Sequence, residues 1–188
     1  MTSAEAKTQL RRRVREMRFQ LGPDYRQRAS QAACKRLLAM PMIAADRTVA
    51  LYSRLGPEAD ASFALPLLVE RDIAVVFPRV EGELLEFAPA SSLDDLDPGY
   101  RRVLEPKGLA IDSSTLDVIV VPGVAFDREG GRLGQGGGHY DRTLALLSAK
   151  TLRVGFCFAC QIVERVPRED HDELLDALVT EDELIYID

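Results

Sequence analysis

The sequence predicts an α/β fold, a three-layer α/β/α arrangement around a mostly parallel central sheet. Three observations carry this expectation. Runs such as Thr48–Tyr52, Ile73–Phe77 and Val118–Val121 are rich in β-branched residues with little polar alternation, as in strands buried on both faces. Strand-like and helix-like segments alternate along the chain. At 188 residues, 46% hydrophobic and 29% charged, the chain is long and apolar enough for one sizeable core. A single domain over residues 1–188 is therefore expected.

Each element has a local reason. Thr2-Ser-Ala-Glu5 has the form of a capping box, and Leu10, Val14, Met17 and Leu21 follow at helical spacing. Gly22-Pro23 ends that helix, and a second is expected from Asp24 to about Met40, before Pro41. Thr48–Tyr52 reads as a strand and Phe63–Glu70 as a short helix. Ile73–Phe77 reads as a strand stopped by Pro78, and Leu84–Phe87 as a short strand. Ser91–Asp112, punctuated by Pro98, Gly99, Pro106 and Gly108, reads mostly as loop. A strand ending at Val121, a helix over Tyr140–Ala149 and strands over Leu152–Ala159 and Ala177–Thr180 complete the pattern.

Composition narrows the functional classes. No apolar run approaches the roughly 20 residues needed to cross a bilayer. The N-terminus is polar and basic, without the apolar centre of a signal peptide, so a cytoplasmic setting is expected. The net charge of −6 hides a gradient. The first 36 residues hold Lys7, Arg11, Arg12, Arg13, Arg15, Arg18, Arg26, Arg28, Lys35 and Arg36 against Glu5, Glu16 and Asp24. Such a segment suits nucleic acid, a phosphorylated ligand or a solvated helix face. An RNA-binding module would interleave aromatics with these cations. Only Phe19 and Tyr25 lie near and the chain has no Trp, so no nucleic acid is expected. The lack of an apolar run likewise leaves no membrane expected, and a monomer is the favoured state although no motif sets the oligomeric state. Cys157 and Cys160 match C-x-x-C, a redox pair or half a zinc site with His171. No second such pair follows, and two small residues at the end of a buried strand account for them.

The most informative stretch is Val121–Arg142. Gly123, Gly130, Gly131, Gly134, Gly136, Gly137 and Gly138 lie in it, seven of the chain's 13 glycines. A strand leads in and a helix leads out, a context that turns backbone N–H groups toward an anion. The stretch is not a P-loop, having no Gly-Lys-Ser/Thr. It is not a dinucleotide fingerprint, because about a dozen residues separate Val121 from Gly134. A G-x-S-x-G elbow is absent. Glycines let a polyphosphate approach the backbone, Arg132 suits bidentate phosphate contact, and Asp141 suits Mg²⁺ shared with phosphate oxygens. The competing reading is a flexible surface loop with an N-capping Asp.

These residues resemble the 5-formyltetrahydrofolate cyclo-ligase (methenyltetrahydrofolate synthetase) family. The match centres on Val121-Pro-Gly-Val-Ala-Phe-Asp127 and Arg132-Leu-Gly-Gln-Gly-Gly-Gly-His-Tyr-Asp-Arg142. Lys7-Thr-Gln-Leu-Arg11, Tyr52-Ser53 with Glu58, Phe77-Pro-Arg79, Glu105-Pro106, Gln161, Pro167 and His171-Asp172 follow the family's order, so the resemblance spans nearly the whole chain. His139 departs from the family's usual aromatic, and Gln135 occupies a variable position.

The resemblance implies an ATP-dependent ligase of folate and one-carbon metabolism. It would convert 5-formyltetrahydrofolate to 5,10-methenyltetrahydrofolate with release of ADP and phosphate, using Mg²⁺. Lys7 and Arg132 would be catalytic. Lys7, Arg11, Arg132, Leu133, Gly134, Gln135, Gly136, Gly137, Gly138, His139 and Tyr140 would hold ATP. Ser53, Glu58 and Gln135, Gly136, Gly137, Gly138 and His139 would face the folate, and Asp141 and Asp172 would serve the metal. Lys7 and Arg11 also read as solvent-facing, Glu58 as a turn residue, Tyr140 as a core ring, Asp172 as surface charge and His171 as structural. A relative that keeps the ligands but has lost the reaction is a further reading.

Overall fold

In the computed structural model, residues 2–169 and 172–187 are described. Helix α1 (Ser3–Gln20) opens with the expected reciprocal cap. The Thr2 N–H donates to Glu5 Oε2 at 2.8 Å and the Glu5 N–H donates to Thr2 Oγ1 at 3.3 Å. Gly22 separates it from α2 (Pro23–Leu37), which has Pro at its first position and ends three residues before the expected Met40.

Strand β1 (Thr48–Ala50) is followed by a short 3₁₀ turn and α3 (Leu65–Glu70), then β2 (Ala74–Glu81) and β3 (Leu84–Pro89). The segment read as loop contains a small antiparallel hairpin, β4 (Leu96–Pro98) and β5 (Leu104–Pro106). Strand β6 (Val118–Val121) comes next. Two short strands then stand where an uninterrupted loop was expected, β7 (Ala125–Asp127) and β8 (Arg132–Leu133). Helix α4 (His139–Leu144) is shorter than the expected Tyr140–Ala149. The chain closes with β9 (Leu152–Phe156), β10 (Ile162–Val163), β11 (Ala177–Val179) and β12 (Leu184–Tyr186).

The main sheet has the order β12-β11-β9-β6-β1-β2-β3. Its five inner strands run parallel, and β12 and β3 are antiparallel edges. The β-branched runs fill both faces. Val49, Val75, Val118, Val120, Val154, Phe156, Ala177 and Val179 pack into one cluster with Ala33, Cys34, Leu37, Leu65 and Leu68 from α2 and α3. Their neighbours Ala50, Val76, Ile119, Val121 and Leu178 pack into a second cluster with Phe126, Leu144 and Leu147. A fully buried aliphatic side chain contributes about 1.5–3 kcal/mol. Isolated helices below about 12–15 residues are marginal, so α4 depends on the packing of its last residue Leu144, and of Leu147 just beyond it, in the second cluster.

Pro78 lies inside β2 instead of ending it. Beyond Val76 the strand pairs with β3 alone, so the missing Pro78 N–H costs no ladder bond on the β1 side. A smaller sheet of order β10-β7-β8 sits after β6 and carries the chain from Val121 to the glycine loop. From β1 the chain steps to β2 on one side and later reaches β6 on the other. The β1/β6 boundary is thus a topological switch point, where open α/β sheets leave a crevice at the carboxyl ends of their strands.

Candidate active site

A cleft opens at that crevice. Tyr52, Ser53, Leu55 and Glu58 line it after β1, Pro78, Arg79 and Val80 from β2, and Pro122 and Gly123 after β6. The glycine loop and the start of α4 close it with Arg132, Gly134, Gln135, Gly137, Gly138, His139, Tyr140 and Asp141. The last wall is the β4–β5 hairpin, through Tyr100, Arg101, Val103 and Glu105. Residues read from separate parts of the sequence therefore share one concavity.

Helix α1 supplies cations to the loop. Lys7, Arg11 and Arg15 recur at i, i+4 and i+8, and Arg18 lies about three turns from Lys7 on the same stripe. Lys7 Nζ donates to Asp172 Oδ2 at 3.0 Å and pairs with Glu169 Oε2 at 3.2 Å. Burial alone would lower the Lys7 pKa, but these two carboxylates outweigh it and hold it raised. Arg11 Nε donates to the Gly134 carbonyl at 2.9 Å. The structure thus places Lys7 and Arg11 inward. The expected apolar face is shifted: Val14 and Arg18 are buried, whereas Met17 is 37% exposed. Leu10 and Val14 still pack on the third apolar cluster and Leu21 on the first, so Met17 alone of the four leaves the buried side, where Arg18 stands instead.

Glu58 is buried at the cleft floor. Its Oε2 accepts the Leu55 N–H at 2.9 Å, its Oε1 accepts the Gln135 amide at 2.7 Å, and Arg18 Nη1 lies 4.0 Å from Oε1. Burial pushes the carboxyl pKa up. The hydrogen bonds from Leu55 and Gln135 and the charges of Arg18 and Arg15 act against that rise. Ser53 Oγ is buried with no hydrogen-bond partner in the protein, and it belongs to the cleft wall.

Arg132 is buried under the loop. Its Nη2 donates to Asp141 Oδ1, its Nη1 donates to the Pro122 carbonyl at 3.2 Å, and its Nε has no partner. Its guanidinium stands 5.7 Å from the Tyr140 ring centre. Tyr140 packs on the second core cluster and also lines the cleft. Burial raises its phenol pKa. Leu133 is buried in β8 and supports the loop from the third apolar cluster, with Val14 and Val166. Gly136 and Gly138 have φ of +104° and +72°, in the left-handed half of conformational space where glycine is favoured.

For a metal, the described residues contain no group of three or more His, Cys, Asp or Glu placed to ligate one. Asp141 is engaged by Arg132, and Asp172 by Lys7 and the Glu169 N–H. Both carboxylates act on Arg11 electrostatically. The donor set is one cleft carboxylate among cations. It fits a Mg²⁺ that arrives on phosphate oxygens, which needs one or two carboxylates and no closed protein cage. His171 lies outside the described residues.

The sequence reading missed the β4–β5 hairpin wall. Tyr100 meets His139 edge to face at 5.7 Å between ring centres, and Arg101 stacks over Tyr100 at 5.2 Å. Pro98 and Pro106 suggested loop, yet both sit in short edge strands, where Pro is tolerated. The available signal was the Pro98-Gly99 turn between the similar triplets Leu96-Asp-Pro98 and Leu104-Glu-Pro106. The cysteines behave as structural thiols: Cys34, Cys157 and Cys160 are free, and burial raises the pKa of each. Among the described residues, no helix is long and apolar enough to cross a membrane.

The profile of the 5-formyltetrahydrofolate cyclo-ligase family matches residues 3–181. A 5-formyltetrahydrofolate cyclo-ligase of Escherichia coli is 35% identical over 175 residues, covering 89% of this chain and 96% of its own. The NMR structure of Aquifex aeolicus 5,10-methenyltetrahydrofolate synthetase superposes with a TM-score of 0.84 at 34% identity, covering 96% of this chain and 92% of that one. A Mycoplasma pneumoniae 5,10-methenyltetrahydrofolate synthetase, at 22% identity and a TM-score of 0.76, shares the fold over 93% of this chain and 98% of its own.

Proposed function

Because the chain belongs to the 5-formyltetrahydrofolate cyclo-ligase family, we propose that it closes 5-formyltetrahydrofolate to 5,10-methenyltetrahydrofolate in this cleft, with conversion of ATP to ADP and phosphate. The observation that carries the reading is the meeting of Glu58 and the glycine loop through Gln135 at a sheet switch point. A carboxylate at the cleft floor suits the adjacent N–H donors of a reduced pterin. A glycine loop with Arg132, Arg11 and Lys7 around it suits a triphosphate.

The chemistry follows from the poor leaving ability of a formamide oxygen. The γ-phosphoryl group passes to the formyl oxygen, which leaves N5=CH–O–phosphate with the ATP β–γ bond broken. N10 attacks that carbon, loses its proton and closes the five-membered ring. The C–O bond then breaks and phosphate departs with its electron pair, leaving the N5–C–N10 methenyl cation. Phosphoryl transfer depends chiefly on positioning and charge neutralisation, so no side-chain nucleophile is required.

In this reading Lys7 and Arg11 neutralise ATP phosphates, Arg132 steadies the transferring group, and Leu133–Tyr140 wrap the nucleotide. Ser53, Glu58 and the Gln135–His139 segment hold the folate. Asp141, and Asp172 beside Lys7, would hold Mg²⁺, which neutralises phosphate charge and aligns its oxygens when bound. A family member acting on a free folate and ATP needs no nucleic acid.

The test mixes the protein with MgATP and 5-formyltetrahydrofolate and follows the near-ultraviolet band of the methenyl product together with ADP release. Stoichiometric appearance of both supports the reading. Folded protein that yields no ATP-dependent band removes it.

A further inference from the structure

The α1 stripe carries two cations that the proposed reaction leaves unused, Arg15 and the buried Arg18. Arg15 is exposed, yet its Nη2 donates to Gln135 Oε1 at 2.6 Å. The other end of the same amide donates to Glu58 Oε1 at 2.7 Å. Glu58 Oε2 is meanwhile fixed by the Leu55 N–H. An amide can serve an acceptor only through its NH₂ and a donor only through its oxygen. Arg15 and Glu58 therefore fix Gln135 from its two ends: its oxygen faces the guanidinium and its NH₂ faces the carboxylate. Reversed, Gln135 would set its oxygen against a buried carboxylate and its NH₂ against a cation.

We propose that Arg15 is a positioning residue for folate binding, acting through Gln135 to hold the Glu58 carboxylate ready for the pterin N–H donors. The assignment rests on the reading of Glu58 as the folate carboxylate. Each carboxylate oxygen accepts one protein hydrogen bond and keeps a lone pair, so both oxygens remain available to a pair of donors. Without Arg15 the Gln135 oxygen loses its donor, and the amide that reaches Glu58 Oε1 is no longer held from both ends. Arg18 does not replace it, because its nearest approach to Glu58 is 4.0 Å and its Nε and Nη1 have no hydrogen-bond partner. The neighbouring Arg12 has the same charge on the same helix.

The experiment measures dissociation constants of 5-formyltetrahydrofolate and of a non-hydrolysable MgATP analogue for the full chain and its Arg15→Ala, Arg15→Lys, Gln135→Ala, Arg15→Ala/Gln135→Ala and Arg12→Ala variants. Loss of one oriented hydrogen bond corresponds to a weakening of about three- to tenfold. Arg15→Ala is expected to weaken folate by that factor and leave the nucleotide constant unchanged. Arg15→Lys should recover part of the loss, and Arg12→Ala should match the unaltered chain. In the Gln135→Ala background the Arg15 effect should shrink to the small share that its charge exerts directly on Glu58. An unchanged folate constant in Arg15→Ala overturns the proposal. So does an equal loss for folate and nucleotide, an equal loss in Arg12→Ala, or full additivity in the double variant. If the unaltered chain does not bind 5-formyltetrahydrofolate, the reading of the cleft fails first and the positioning role falls with it.

Discussion

Arg132 and Asp141, nine positions apart, hold each other across the glycine loop, with Arg132 Nη2 donating to Asp141 Oδ1. The guanidinium is anchored from behind by the Pro122 carbonyl and keeps its Nε without a partner. This pair fixes the two ends of the loop segment Leu133–Tyr140 relative to the carboxyl end of β6. In the proposed reading, a phosphate entering the cleft would meet a buried cation already oriented by the chain, so little reorganisation would be required.

Replacing Arg132 by Ala is expected to lower turnover by about 10²–10³-fold. Asp141→Asn keeps the shape and removes the charge, and should raise the Mg²⁺ concentration required for half-maximal rate. The methenyl absorbance assay reads both, and circular dichroism checks that each variant is folded. Rates equal to the unaltered chain in both variants would end the phosphate-cradle argument.

Glu58→Gln is expected to weaken 5-formyltetrahydrofolate by about 10- to 150-fold, the worth of a hydrogen bond to a charged acceptor, while nucleotide affinity changes little. Isothermal titration with each ligand separates the two effects. Comparable losses for both ligands would argue that Glu58 supports the loop and does not hold the folate.

The same residue sets a pH dependence. Burial holds the native Glu58 pKa above its ordinary 4.5, so the native state takes up a proton more readily than the unfolded chain. Its contribution favours the fold at low pH and declines as pH rises from 4.5 through the raised native value. Folate binding has the opposite sign, since it needs the carboxylate, and should weaken as pH falls through that native value. A folate affinity profile that flattens in Glu58→Gln would bear this out, and an identical acid limb in both proteins would contradict it.

Gly136→Ala isolates backbone strain. A Cβ there would come no nearer than 4.0 Å to the Arg11 guanidinium, so the side chain has room, but φ of +104° disfavours any L-residue. Strain of about 1–3 kcal/mol confined to a loop should weaken the nucleotide about 5- to 150-fold and leave the urea midpoint nearly unchanged. Unaltered nucleotide affinity would show that the loop does not need this conformation to bind.

Asp127 provides the structural contrast within the same motif. It is buried, its Oδ1 accepts the Glu129 and Gly131 N–H groups, and its Oδ2 accepts the Val166 N–H. Asp127→Ala strands those donors and should destabilise the fold by about 2–5 kcal/mol. Chemical denaturation reads this directly. A stability equal to the unaltered chain would deny Asp127 its role as the post of the β7–β8 turn.

Features that depend on near neighbours in the chain were legible from the residues alone. The Thr2–Glu5 cap, the Gly22-Pro23 break and the β-branched runs act over a few residues, and they led directly to α1, α2, β1, β6 and a sheet covered on both faces. The loop Gly134–Gly138 was legible because glycine clusters are uncommon in elements that pack. Long-range packing set the rest. The bond from Gln135 to Glu58 spans 77 positions, and its formation depends on β6 lying beside β1, an order no local pattern encodes. Arg18 replaces Met17 on the buried side of α1 because that helix docks against the loop and the small sheet as well as apolar surface. Pro78 stays within β2, and Pro98 and Pro106 within their hairpin, because no partner strand needs the missing N–H. Which side of a strand is free is a property of the assembled sheet alone.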